Sequence, residues 1–438
     1  MTILKTSGLA LLAGSMLILA MPQSSKTRIP TSSRDITLCI TPRGCVFRTI
    51  FGEEVSIPSR YPTPGKVQYA IDKGLGWMIQ AQQANGGWGA GSHQRQDVLD
   101  PHAVQTDPAT TAMVAMALLR TGSTLTSGQY RDELKRALFY LIDEVESTPS
   151  DRLKITPLSG TQIQTKLGNH IDAVLTAQFF SNLLDHLGHD QTLKDRVKTS
   201  LDQCVDKIER AQNENGSFKG AGWAGVLQSS MATTALEAAE HKGIEVEREV
   251  LDKAREYQKS NYNPSTGDVK MEEAAGIVLY SVSGSVRSSA KEARKVREKM
   301  ADAKKEGQLG EDAEVSIENL VSLGYSRDEA MRYTTSYQVY ESSKNKAQED
   351  AVMDGFGNNG GEEFLSYLQT GESLVVNNDG SWEQWYQNIS NRLMSIQEEN
   401  GSWRGHHCIT SPVFCTATTL LTLSVNNDIE RLTSLGQE

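Results

Sequence analysis

One motif recurs three times and constrains the fold more than any other feature of this chain. Gln82-x-x-Asn85-Gly-Gly-Trp88 returns as Gln212-x-x-Asn215-Gly-Ser-Phe218 and as Gln397-x-x-Asn400-Gly-Ser-Trp403, with a degenerate copy at Asp379-Gly-Ser-Trp382. Each strict copy follows an amphipathic stretch, over 70–81, 201–211 and 389–396. Apolar residues at helical spacing predict a helix in each. The Asn-Gly pair is expected to end that helix, because glycine supplies the left-handed C-terminal conformation. Downstream lies an Ala-Thr-Thr triplet, at Ala109, Ala232 and Ala417. Each triplet is expected to open an apolar helix rich in small residues, over 112–119, 235–239 and 420–425. The unit is helix, Gly-aromatic turn, loop, tightly packed helix. Such a unit cannot bury its apolar face alone and must pack against its own copies.

The pattern resembles the QW repeat of the squalene cyclase and prenyltransferase families, over residues 65–430. The resemblance implies an all-α fold, the terpenoid cyclase/prenyltransferase-like α/α toroid, in which outer and inner helices alternate. It also implies that Gln82, Gln212 and Gln397 cap neighbouring helices while Trp88, Phe218 and Trp403 stack on them. A fold of this kind hosts many chemistries, so the likeness specifies architecture and not activity.

The remainder of the chain is read around that toroid. Residues 1–21 carry Lys5 and then an apolar run shorter than the ~20 residues of a bilayer span, as expected of a signal peptide or signal anchor. Residues 22–64 form an extension, with a β-hairpin expected where Cys39 and Cys45 flank a Pro/Gly turn. The toroid is expected over 65–438, with a charged helical insertion at about 286–350, its basic residues read as a solvated face. The protein is expected to be exported, periplasmic or secreted, or tethered by an uncleaved anchor. In an oxidising compartment the simplest partition of five cysteines is two bridges, Cys39–Cys45 and Cys408–Cys415, leaving Cys204 a buried free thiol.

Composition narrows function. Hydrophobic residues make up 38% and charged residues 23% of 438, a globular balance that excludes a polytopic membrane protein. A net charge of −11 argues against nucleic acid as a partner.

The families the repeat resembles have Asp-x-Asp-Asp as cyclase acid, and this sequence has no such cluster. Aromatics to stabilise carbocations are only 6% of the chain. The prenyltransferase zinc pattern is not matched either. Toroid topology instead brings the first and last repeats together, and with them His93, Asp97, Asp100, His102 and Asp107 against His406, His407, Cys408 and Cys415. A histidine-carboxylate acid/base pair at Asp100 and His102, with His406 and His407 beside it, is the candidate catalytic centre. Zinc suits these side chains but competes with the disulfide, so no cofactor is assigned. Glu362-Glu363 is read as helix N-terminal charge.

Three functions stay open, one of them a carbohydrate-active enzyme built on an α/α toroid. The absence of the cyclase acid favours a non-catalytic ligand-binding or scaffold toroid, holding an apolar small molecule, a lipid or a peptide in the concavity of the ring. The alternative is a divergent enzyme of the superfamily acting on an apolar or isoprenoid substrate. An apolar central cavity, convergent carboxylates with aromatic platforms, or a filled centre would discriminate between lipid, sugar and scaffold.

Overall fold

The computed structural model describes residues 39–41, 44–48, 54–56 and 61–436, apart from 189, 219, 221, 271–273 and 357–359. The expected export segment lies outside these residues, as do the side chains of Cys39 and Cys45. Strands β1 (Cys39–Thr41), β2 (Gly44–Arg48) and β3 (Glu54–Ser56) pair antiparallel in that order, with Ile40 opposite Cys45.

Beyond them, twelve long helices among the described residues alternate between two layers. They are α1 (Gly65–Gln80), α2 (Pro108–Arg120), α3 (Arg131–Ser147), α4 (Ile171–Leu183), α5 (Gln191–Arg210), α6 (Gly225–His241), α7 (Arg248–Ser260), α8 (Val278–Lys305), α9 (Arg327–Lys346), α10 (Gly361–Asn377), α11 (Trp382–Ser395) and α12 (Pro412–Leu423). The even-numbered helices pack in sequence, α2 on α4 and so on to α12, and α12 packs back on α2, closing a ring. The odd-numbered helices lie outside it. Sequence explains the sorting. Helices α2, α10 and α12 are buried along their whole length, as a helix apolar or small all round must be. Outer helix α5 buries one stripe, Val197, Leu201, Cys204, Val205 and Ile208. Cys204 is a free, buried thiol. Among the described residues no helix is long and apolar enough to cross a membrane.

The repeated turn stitches the outer layer together. The outer helices end at Gln80, Arg210 and Ser395, several residues before the turn glycine, so Asn-Gly is not their C-terminal cap. It forms a separate turn, in which the Asn85, Asn215 and Asn400 carboxamides accept from the amides of Gly87, Ser217 and Ser402. Gln82 Nε2 donates to the carbonyls of Gly86 and of Glu133 on α3. Gln212 Nε2 reaches Val250 of α7 at 2.8 Å, and Gln397 Nε2 reaches Ala70 of α1 at 2.9 Å, which closes the outer ring. The turn glycines have φ of 88°, 84° and 96°. A Cβ on Gly401 would stand 2.7 Å from the Lys73 carbonyl of the next outer helix. Glycine is therefore required twice, for conformation and for close approach. The Trp88 and Trp403 indoles donate to Met78 and Leu393, each at the end of its own outer helix.

Three sequence expectations change. The Ala-Thr-Thr triplets are not equivalent: Ala109 lies in the first turn of α2, whereas Ala232 and Ala417 lie mid-helix in α6 and α12. The equivalent residues are the hydroxyls that accept from the turn aromatic's amide, Thr111, Ser229 and Thr416. The degenerate copy at Asp379 follows an inner helix rather than an outer one, so it turns at the opposite end of the ring. The charged stretch 286–305 is no insertion but the continuation of inner helix α8. Arg287 turns inward to pair with half-buried Glu237 at 3.0 Å, and Arg294 donates to the carbonyls of Val376 and Thr433. Charge alone suggested solvent; carboxylates and orphan carbonyls on neighbouring helices provide the compensation burial needs.

Candidate functional site

The ring has two unlike ends. At one, the repeated turns and the loops after outer helices lead into the N-termini of the inner helices. The loops of the first and last repeats do meet there, where Thr410 Oγ1 donates to the Gln96 carbonyl at 2.8 Å. The predicted residues spread across this end rather than converging. Asp100 accepts from the His102 amide, and the exposed His102 ring contacts the Gln80 carbonyl on the outer rim. Asp97 pairs with Arg95 in solvent. Asp107 is buried and caps α2, accepting from Ala90 and Thr110. His406 is exposed. His93 stands edge-on to Trp223, with ring centroids 5.7 Å apart, and His407 does the same to Phe356 at 4.7 Å.

Cys408 and Cys415 are both free, which corrects the expected bridge. The chain reverses at Cys408, where φ is 61°. Cys415 in the first turn of α12 is buried, with Sγ 3.5 Å from the Ile409 carbonyl, while Lys166 is close enough to Cys408 to pull its thiol pKa down. Among the described residues no three His, Cys, Asp or Glu side chains form a metal-binding group, and the zinc set considered above is not assembled.

A different cluster forms between His93 and His407. Lys166 ends a short helix, Gln162–Leu167, capped by Thr161 with Gln164 in reciprocal bonds. Its side chain is buried, yet among the described residues no carboxylate forms a salt bridge with it. Its Nζ lies 3.3 Å from the centroid of the Trp223 ring, and the Trp223 residue is 58% exposed. Gln162, four residues earlier and so on the same helical face, accepts from the amides of Thr410 and Ser411, leaving its buried Nε2 without a partner.

Opposite stand two carboxyls with different roles. Glu363 is bound on both oxygens, by the Tyr280 hydroxyl at 2.8 Å and the amides of Phe356 and Gly360. It serves the helix N-terminus, as expected. Glu362, 2% exposed, has an Oε2 with no partner. Burial, then the charge of Glu363, push its pKa up to about 8, against the pull of the Ile409 amide and Lys166. It is therefore largely a neutral acid at pH 7 and a potential donor. Burial and Glu362 push the Cys408 thiol up as well, with Lys166 opposing. Both His407 ring nitrogens are buried without partners. The contacts thus run Trp223, Lys166, Cys408, His407, Phe356 across this end, between two exposed aromatic rings. Lys166, Gln162, Trp223 and Tyr280 escaped the sequence reading. The Thr-x-x-Gln capping pattern at Thr161 was the available signal for the helix that carries the first two.

The axis of the ring is lined by Met113, Met116, Met231, Leu365, Leu368 and Leu421, with Gln369 among them. Its empty space totals about 400 Å³ but is thin: the centre of a water molecule can occupy only about 20 Å³. That is the room of one or two waters.

No protein-family model matches the chain, and no curated protein matches it. Among solved structures, a type II terpene cyclase from Scytonema, in complex with the product merosterolic acid A, is similar at a TM-score of 0.32 and 11% identity, over 83% of this chain and 98% of that one. A likeness of that size carries no weight for fold or function.

Proposed function

We propose that the protein is an exported, non-catalytic binding toroid whose ligand face is the end of the ring where the repeated turns gather. The carrying observation is a buried lysine that forms no ion pair among the described residues, beneath an exposed tryptophan, while the ring axis is nearly filled. A buried, unpaired ammonium is costly unless something compensates it. The filled axis moves the ligand away from the ring centre anticipated from the fold, because small-molecule sites usually need about 300 Å³ or more.

A second reading, a divergent enzyme, is favoured by one feature: Glu362 is held as a neutral acid beside Cys408. In that reading Glu362 is the proton donor. An isoprenoid substrate would need more room along the axis than the ring leaves.

The test is to purify the full chain from its host, denature it, and identify retained small molecules by mass spectrometry. A double variant, Trp223→Ala with Phe356→Ala, is treated alongside. A compound retained by the natural protein, absent from the variant and unchanged after incubation supports the binding reading. Conversion of that compound to a product supports the enzyme. Equal retention by the variant contradicts the assigned face.

A further inference from the structure

We infer that the ligand of this face carries a carboxylate, seated on the Lys166 ammonium beneath the Trp223 ring and beside Gln162, Glu362 and Cys408. This rests on the binding reading above and adds the chemical class of the ligand.

Hydrogen-bonding capacity is left unused in this cluster. Lys166 has three donors and no acceptor. The Trp223 face and the Cys408 sulfur are its close partners, and neither is a strong acceptor. A cation–π contact offsets part of the burial cost and leaves the N–H groups unfilled. Gln162 adds an unpartnered buried amide on the same helical face. Glu362, neutral because burial and Glu363 hold its proton on, adds an O–H next to an unpartnered oxygen. Among the described residues, Glu363 is bound on both oxygens and the Gln162 Oε1 accepts from two backbone amides, so neither is open to Lys166. What Lys166 lacks is an acceptor bound to it, and a negative one suits an ammonium that no carboxylate reaches within salt-bridge distance among the described residues. A carboxylate supplies one charge and two oxygens. A phosphate dianion would add a second negative charge to a buried site that already holds two carboxyl groups, which disfavours it. The exposed faces of Trp223 and Phe356 suit a ligand whose carboxylate is joined to an apolar or ring-shaped body.

The experiment titrates the full-length protein with benzoate, its neutral isostere benzamide, and phenyl phosphate. It reads heat, together with the emission of Trp223 taken as the difference from a Trp223→Phe variant. Benzoate is expected to bind at least about tenfold tighter than benzamide, the size of one charge-assisted hydrogen bond, and tighter than phenyl phosphate. Lys166→Met is expected to abolish that preference, and Glu362→Gln, which keeps a neutral donor, to retain it. Should Lys166→Met fold poorly, the comparison of probes on the natural protein still decides. Equal binding of benzoate and benzamide overturns the carboxylate while leaving a binding face. Preferred binding of phenyl phosphate overturns it in favour of phosphate. If none of the three probes binds, the carboxylate assignment and its support for this face fail together.

Discussion

The two ends of the ring both bury charge, and they treat it differently. At the end opposite the repeated turns, Arg120 at the close of α2 donates to Glu372 of α10, to Asp428 at 3.0 Å and to the Leu421 carbonyl at 3.1 Å. Arg431 pairs with the same Asp428 and donates to Asn182 at 3.0 Å. These two arginines hold the Asp428 carboxyl far below the usual carboxylate range. The network spans four inner helices, α2, α4, α10 and α12. At the turn end no carboxylate among the described residues forms a salt bridge with buried Lys166, and the Glu362 acid of the same cluster is pushed the other way. A charge met by its counter-ions belongs to the fold. A charge left unmet, under an exposed aromatic, is better understood as waiting for something outside the chain.

That contrast can be broken in several places. The largest effect is expected for Arg120→Met, which strands Glu372, leaves Asp428 with Arg431 alone, and should cost about 3–5 kcal/mol in urea unfolding. A loss under about 1 kcal/mol would show that the far end is not a structural lock. Next is Gly401→Ala. It sets a side chain at a positive φ against the Lys73 carbonyl, at a cost of about 1–3 kcal/mol, read as a fall in Tm. Gln397→Ala removes two donor contacts, one of which closes the outer ring, and should cost about 1–2 kcal/mol. An unchanged midpoint for Gln397→Ala would mean that the closure between α11 and α1 rests on packing alone.

The acids separate the two ends by pH. The folded state holds the Glu362 proton up to about 8, while the unfolded chain releases it near 4.5. Between those values the native state binds the extra proton, so stability falls as pH rises, by at most about 1.4 kcal/mol per pH unit, and levels off above the window. Asp172, pushed up to about 7 by burial, acts in the same direction. At the far end the sign reverses. The depressed Asp428 stabilises the fold above the unfolded carboxylate value, and that contribution is lost as pH falls through acid. Glu362→Gln should flatten the neutral slope and leave the acid limb intact; a slope unchanged by Glu362→Gln would remove Glu362 as its source.

How much of this was legible in the sequence follows the same division. The repeated Gln and turn glycine announce themselves because their contacts are local or strictly periodic, and the repeat resemblance implied the alternation of layers. What failed had to do with long-range partners. Arg287 and Arg294 read as solvent-facing because nothing near them in sequence reveals Glu237 or the Val376 carbonyl. Cys408 and Cys415 read as a bridge because spacing is visible and the reversal at Cys408 is not. The sequence pointed to the same end of the ring as the proposed face, and to His407 and Cys408 within it. It missed Lys166 because a lysine's burial is decided by Trp223, a residue 57 positions away in sequence.

The most direct test sets the two ends side by side. The natural protein, Arg120→Met and Lys166→Met are unfolded in urea in one neutral buffer, without ligand. Arg120→Met is expected to lose several kcal/mol while Lys166→Met is as stable as the natural protein or more so, because removing a buried charge without a salt-bridge partner relieves a cost. If Lys166→Met instead falls as far as Arg120→Met, then Lys166 serves the fold and the turn end is not a ligand face.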